Sequence, residues 1–151
     1  MAAVLSAPLD HGWIAAHIPH QGSMCLLDRM LEWSEQRIVC EAVSHTDPAN
    51  PLRDAGRLGA AIGVEYAAQA MAVHGALLAP SDAAPTQGYL TSVRGLSLHT
   101  DRLDDVGGPL TITAERLSGD ARLILYQFTL HCGERCLLEG RASVVLDAQS
   151  L

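Results

Sequence analysis

A chain of 151 residues can enclose one hydrophobic core but hardly two, so a single domain over residues 1–151 is expected. Its formal net charge of −7, with no Lys/Arg run, argues against a nucleic-acid binder built on a basic stripe and against an anionic membrane surface. With 48% hydrophobic but only 4% aromatic residues, the core must be assembled from Ala, Val and Leu rather than from stacked rings.

The first ten residues hold no basic segment followed by a long apolar run, so no secretory leader is expected and the chain reads as cytoplasmic. Residues 8–17 read as a short amphipathic helix, with Asp10 as N-cap and Trp13, Ile14 and Ala16 facing inward. Residues 18–24, punctuated by Pro19 and Gly22, form a turn. Residues 25–33 and 37–45 then read as the two strands of a hairpin, although Leu26-Leu27 and Met30-Leu31 also fit a helical turn. The second strand alternates Ile38, Cys40 and Ala42 with Arg37, Val39 and Glu41. Residues 46–57 carry Pro48, Pro51 and Gly56 and read as an irregular loop long enough to suspect function. Arg53, Arg57, Arg94 and Arg102 are candidates for a local basic rim facing an anionic partner.

Residues 58–79 hold one charge, Glu65, among Ala, Val, Met and Leu. The stretch predicts a long helix of roughly 30 Å, apolar almost all round and therefore buried all round. Glu65, Gln69, His74 and three glycines favour a core helix over a membrane span. No Ser, Thr, Asp or Asn directly precedes Leu58, so the first turn is expected to keep N–H groups for another acceptor. Residues 80–85 read as a small-residue linker. Four strands follow, at 87–100, 109–117, 121–132 and 135–147, with turns at 104–108, 118–120 and 133–134. Helix, two strands, long helix and four strands make an α+β domain of antiparallel hairpins wrapped round a helix. Such a sheet leaves an outer face or an edge to cover, which predicts a dimer.

The four cysteines, Cys25, Cys40, Cys132 and Cys136, form no C-x-x-C pair and read as free thiols of a cytosolic protein. No second ligand pair stands at zinc spacing, so no metal or other cofactor is implied.

Ile18-Pro19-His20 followed by Met24-Cys25-Leu26-Leu27-Asp28-Arg29 resembles the opening of the β-hydroxyacyl-acyl carrier protein dehydratases. Val64-Glu65-Tyr66-Ala67-Ala68-Gln69-Ala70 is similar to their helix motif. Asn50-Pro51-Leu52-Arg53, Gly56 and the segment from Gly63 to Ala72 resemble the branch associated with aryl polyene pigment clusters. The resemblance implies a hotdog fold, a curved antiparallel sheet around a long central helix, with Glu65 at the catalytic carboxylate. It implies dehydration of a 3-hydroxyacyl thioester carried by acyl carrier protein or coenzyme A. It also implies a site at a subunit interface, in a homodimer or in a heterodimer with a related hotdog subunit. The family's loop histidine falls on Pro51, or on Arg57 if the loop is aligned by its glycine.

Dehydration needs a base, an acid and a donor for the thioester oxygen. Glu65 is the candidate carboxylate, about two turns into the helix and raised in pKa by apolar surroundings. The alternative for Glu65 is a structural pair with an arginine such as Arg94. His45 at the loop edge and His20 in the Pro-Gly turn are the candidate imidazoles, with a structural hydrogen-bonding role the alternative for His20. Gly59 and Gly63 would allow close backbone approach to substrate. Asn50 would orient the thioester or a water, or else form a turn. Gln69 would hold the Glu65 carboxylate, or else pack as an amide. His74 reads as a satisfied core histidine, and His99 and His131 have no partner visible in sequence. A hotdog thioesterase, working with one carboxylate, and a partner subunit lacking a complete site are the alternative functions.

Overall fold

The computed structural model describes residues 8–79, 88–120 and 122–146. The predicted linker at 80–85 lies outside the described residues. Seven strands form one sheet: β1 Leu9–Asp10, β2 Arg29–Trp33, β3 Arg37–Ala42, β4 Gly88–Leu98, β5 Leu110–Gly119, β6 Leu123–Cys132 and β7 Arg135–Leu146. Their order is β1-β2-β3-β5-β6-β7-β4, every neighbouring pair antiparallel. Two α-helices, α1 His11–His17 and α2 Gly63–Leu78, lie with them, and α2 packs on β3, β5 and β6.

Alternation along the strands decides which face meets α2. Cys40, Ile112, Leu130 and Leu138 stand side by side across four strands and are all buried. The row one residue along, Val39, Thr113, Thr129 and Glu139, lies on the opposite face, as does the row Arg37, Glu115, Gln127 and Arg141. A one-residue slip would carry these charges into the core, so the register is strongly specified. The outer face is thus largely polar and needs no cover. What the described residues leave uncovered is the β4 edge, where Tyr89, Leu90, Leu96 and Leu98 are 38–47% exposed. An apolar edge of this length is a template for another strand.

The helix differs from the sequence reading in start, depth and burial. Leu58 and Gly59 are extended. The Leu58 N–H donates to Asp104 Oδ1, the Leu103 N–H donates to the Leu58 carbonyl, and the Ala60 N–H donates to Asp101. This pairing outcompetes the helix propensity of the apolar run. A 3₁₀ turn, Ala60–Ile62, then leads into α2, which has 16 residues and a length of about 24 Å. The 3₁₀ turn also consumes the expected spare donors: the Ile62 N–H bonds Gly59, and the Gly63 N–H bonds Ala60 and Ala61. Burial is one-sided. Tyr66, Ala67, Ala70, Met71, Val73 and His74 are buried, while Val64, Glu65, Ala68, Ala72 and Ala76 form a half-buried stripe at helical spacing.

Asp10 caps α1 as expected, accepting from the Trp13 N–H at 2.9 Å, and Ile14 is buried, but Ala16 is exposed. Residues 25–28 are not part of β2. Cys25, Leu26 and Leu27 are buried in succession, and distant side chains take up this segment's backbone groups. The second strand of the hairpin stops at Ala42 and gives way to a 3₁₀ turn, Ser44–Thr46. The irregular loop closes with a tight turn in which Asp54 and Arg57 exchange both backbone hydrogen bonds. Ala55 and Gly56 occupy the left-handed region there, at φ 53° and 75°, the conformation a two-residue hairpin turn requires.

Candidate active site

Three segments meet at the start of α2: the Pro19-His20 turn, the buried 25–27 run and the first helical turn. Glu65 lies in that first turn, not two turns in. His20 reaches it from the turn, with Nε2 3.4 Å from Glu65 Oε1, and both side chains are part-exposed, 25% and 38%. The hydrogen bond from His20 holds the Glu65 carboxyl below its ordinary value, partial burial opposes this, and Gln69 adds a smaller lowering. The expected upward shift is therefore reversed, and Glu65 is ionised at neutral pH. The His20 Nδ1 atom is buried and has no hydrogen-bond partner among the described residues. Arg94 is not the partner of Glu65; it lies exposed on β4.

Gln69 is one turn further along the same helix and fully buried. Its Oε1 accepts from the Leu26 N–H at 2.8 Å, and its Nε2 donates to the Met24 carbonyl at 2.7 Å. The amide thereby pins to α2 the strand-like segment that follows the His20 turn. Gln21 Nε2 donates to the Ala15 and Ile18 carbonyls and fixes the turn from its other side. The imidazole of His20 is positioned by amides on both flanks.

His45 and Asn50 occupy a second, closed corner. His45 is 1% exposed, and its Nε2 bonds the Val106 carbonyl at 3.1 Å. Burial lowers its pKa, so it is neutral near pH 7. No hydrogen bond joins it to Glu65 among the described residues. The Asn50 Nδ2 donates to the Ser44 carbonyl and the Tyr66 hydroxyl, and its Oδ1 accepts from the Leu52 N–H. Tyr66 also bonds Ser44 Oγ at 2.9 Å. Arg53 donates to the His45 and Gly56 carbonyls, so this cation closes the loop instead of presenting a free charge. Tyr66, Ser44 and Asp28, which accepts from the Val43 N–H, were not singled out from sequence. Only the position of Tyr66 beside Glu65 in the helix motif could have signalled it.

Gly63 faces the core: a Cβ there would stand 2.7 Å from Leu138 Cδ2, so the missing side chain lets α2 sit down on β7. Gly59 has open space beside it. A cleft of about 380 Å³ is lined by Gly22, Ser23, Cys25, Asp28, Ser44 and Asn50 among others; Glu65 and His20 are not in its lining. All four cysteines carry unpaired thiols.

The family model described as ApeP-like, ApeP dehydratase, matches residues 13–150. No curated protein sequence matches the chain. Among solved structures, the dehydratase heterocomplex ApeI:P from Xenorhabdus doucetiae is similar at TM-score 0.77 and 21% identity, covering 91% of this chain and 92% of that one. A thioesterase from Haemophilus influenzae matches at TM-score 0.57 and 13% identity, covering 78% and 76%. A thioesterase family protein from Silicibacter pomeroyi matches at TM-score 0.57 and 15% identity, covering 78% and 82%. The antiparallel sheet around α2 is the hotdog fold, in the α+β class.

Proposed function

The chain belongs to the ApeP-like dehydratase family, and from that premise we propose that it removes water from a 3-hydroxyacyl thioester borne by acyl carrier protein or coenzyme A, in aryl polyene assembly. The observation that carries this reading is the His20–Glu65 pair at 3.4 Å on the first turn of α2. The ionised Glu65 takes the α-proton of the substrate. The C3–O bond breaks as the hydroxyl receives a proton from protonated His20 Nε2 and leaves as water, and the former C–H electron pair becomes the C2–C3 double bond. Glu65 then holds a proton and His20 lacks one. The short separation lets the proton pass between them and resets the pair. The positive end of α2 favours charge developing on the thioester oxygen.

We further infer that the working unit pairs this chain with a related hotdog subunit along β4. Three observations support it: the apolar β4 edge, the absence of a histidine at Pro51 or Arg57, and the similarity to a protein solved as a dehydratase heterocomplex. The four unpaired thiols fit a reducing, cytoplasmic setting. No helix among the described residues is long and apolar enough to cross a membrane.

The test is dehydration of a carrier-bound 3-hydroxyacyl thioester by the chain alone and co-expressed with a related hotdog protein, following enoyl product and free thiol in the same samples. Enoyl product that disappears with Glu65→Gln is expected. Free thiol without enoyl product would make the chain a thioesterase. Enoyl product unchanged by Glu65→Gln would remove Glu65 from the mechanism. Light scattering on the co-purified material is expected to show a dimer that Leu98→Glu dissociates.

A further inference from the structure

A second cluster of reactive side chains stands on the outer face, where the β6–β7 hairpin meets the end of β4. Leu130 pairs with Leu138, but His131 pairs with Cys136, so Leu137 is an extra residue in β7. This bulge turns both Leu137 and Leu138 into the core, where each is 0% exposed. Regular alternation would place residues 136 and 139 on opposite faces. The bulge brings Cys136 and Glu139 to the same one. Backbone pairing holds the third member there: the His99 N–H donates to the Leu137 carbonyl at 2.8 Å. His99 Nε2 then lies 2.9 Å from Glu139 Oε2, and Cys136 Sγ 3.7 Å from the same oxygen, with all three donor atoms within 4.8 Å of one another.

We propose that His99, Cys136 and Glu139 form a binding site for a divalent transition metal, zinc by its donor set, which clamps the end of edge strand β4 to β7. The spacing fits. Zinc bonds of about 2.0–2.3 Å put tetrahedral ligand atoms roughly 3.4–3.7 Å apart, so the sulfur–oxygen distance already matches. His99 Nε2 stands about half an ångström too close to the carboxylate oxygen and within 4.8 Å of the sulfur, and its side chain, about half exposed, is free to turn into place. One thiolate, one carboxylate and one neutral imidazole balance the two positive charges of the ion. The ligand spacing was invisible in sequence because His99 and Glu139 are 40 positions apart and meet only through the β4–β7 pairing. The site shares no residue with the Glu65 corner, and its test does not depend on catalysis.

Cobalt(II) titrated into the reduced, purified full chain is expected to give a thiolate-to-cobalt charge-transfer band and tetrahedral visible bands, saturating at one ion per chain and bleached by added zinc. Cys136→Ser should abolish the charge-transfer band, and Cys132→Ser should keep it. His99→Gln should weaken cobalt binding by more than about tenfold, a loss that even outer partners of metal ligands can produce. Zinc should raise the melting temperature of the native sequence and leave that of Cys136→Ser unchanged. No band at equimolar cobalt, or a band that survives Cys136→Ser, overturns the proposal. Should Cys136→Ser fail to fold, the exposed His99→Gln decides: undiminished cobalt affinity there overturns it equally.

Discussion

Two histidine corners flank the start of α2, and they are built oppositely. Around His45 most polar groups are packed into one another: Asn50 serves Ser44, Tyr66 and Leu52, Arg53 serves His45 and Gly56, and His45 is sealed against Val106, with only His45 Nδ1 and Arg53 Nε buried without a partner among the described residues. Around His20 the imidazole and the Glu65 carboxylate face each other while still part-exposed, and the amides of Gln69 and Gln21 hold the backbone instead of the reacting atoms. A closed network stabilises the loop but has little capacity left to bind or exchange protons with a substrate. The open pair contributes little to stability and keeps its donor and acceptor atoms available. On the proposed mechanism the difference separates positioning from chemistry: the residue nearest the loop is not, by that alone, the residue nearest the reaction.

Glu65→Gln breaks the open corner and has the largest expected effect. The amide keeps the shape but cannot accept the α-proton, so the rate of enoyl formation should fall by about 10²–10⁴-fold. Because the pair is part-exposed, unfolding free energy should stay within about 0.5 kcal/mol of the native sequence. His20→Gln should show a comparable loss of rate. His45→Gln should reduce folded yield more than turnover per folded molecule. If His45→Gln abolished turnover in well-folded protein while His20→Gln did not, the assignment of the two corners would be reversed.

Asn50→Ala breaks the closed corner and is expected to be mainly a stability variant. It strips three hydrogen bonds from a residue 6% exposed and leaves the Leu52 N–H to find another partner, while the Tyr66 hydroxyl keeps Ser44 Oγ. The cost should be about 2–4 kcal/mol, read as a lower urea midpoint with an unchanged slope. Turnover per folded molecule should change less than tenfold, against the much larger loss at Glu65.

The contrast between the corners explains what was legible in the sequence. Alternation in residues 110–114 and 124–130 sees only the local chain, and there local pattern and burial agree, whereas in residues 38–42 Val39 is buried along with Ile38, Cys40 and Ala42. The run at residues 25–27 defeats it, because Gln69, Ser44 and His11 satisfy that backbone from far along the chain. The apolar stretch at residues 58–62 has a helical composition, but Leu103, Asp104 and Asp101 hold its backbone extended or tightly turned. Glu65 stood out as a lone charge within a motif. Its neighbour could not be read the same way: the environment of His45 depends on a carbonyl 61 residues away, and that of His20 on how the turn is anchored to Gln69. The direction of the Glu65 pKa shift went with it, since the sequence shows the apolar neighbours but not the imidazole.

The two corners should also separate in their response to acid, and a third histidine measures the smaller part of that difference. His74 is fully buried on α2. Its Nε2 faces the Ser34 carbonyl at 2.8 Å, which can only accept, so that nitrogen carries the proton and Nδ1 accepts from the Tyr126 hydroxyl at 2.7 Å. Burial lowers the pKa of His74, as it does that of His45. The folded protein therefore binds these protons less readily than the unfolded chain. Stability is full above the ordinary histidine value of 6.5 and declines as pH falls through it, levelling off below the folded values. Glu65 acts with the same sign in a lower window: its lowered pKa adds stability above 4.5 that is lost only as pH falls further. Urea midpoints should thus fall in two stages, histidines first and carboxylates afterwards. His74→Gln keeps an acceptor for Tyr126 and a donor for Ser34 but cannot titrate. It should flatten the first stage by at most about 1.4 kcal/mol per pH unit and leave the second untouched. A first stage identical in His74→Gln and the native sequence would assign the whole of it to His45 and the closed corner.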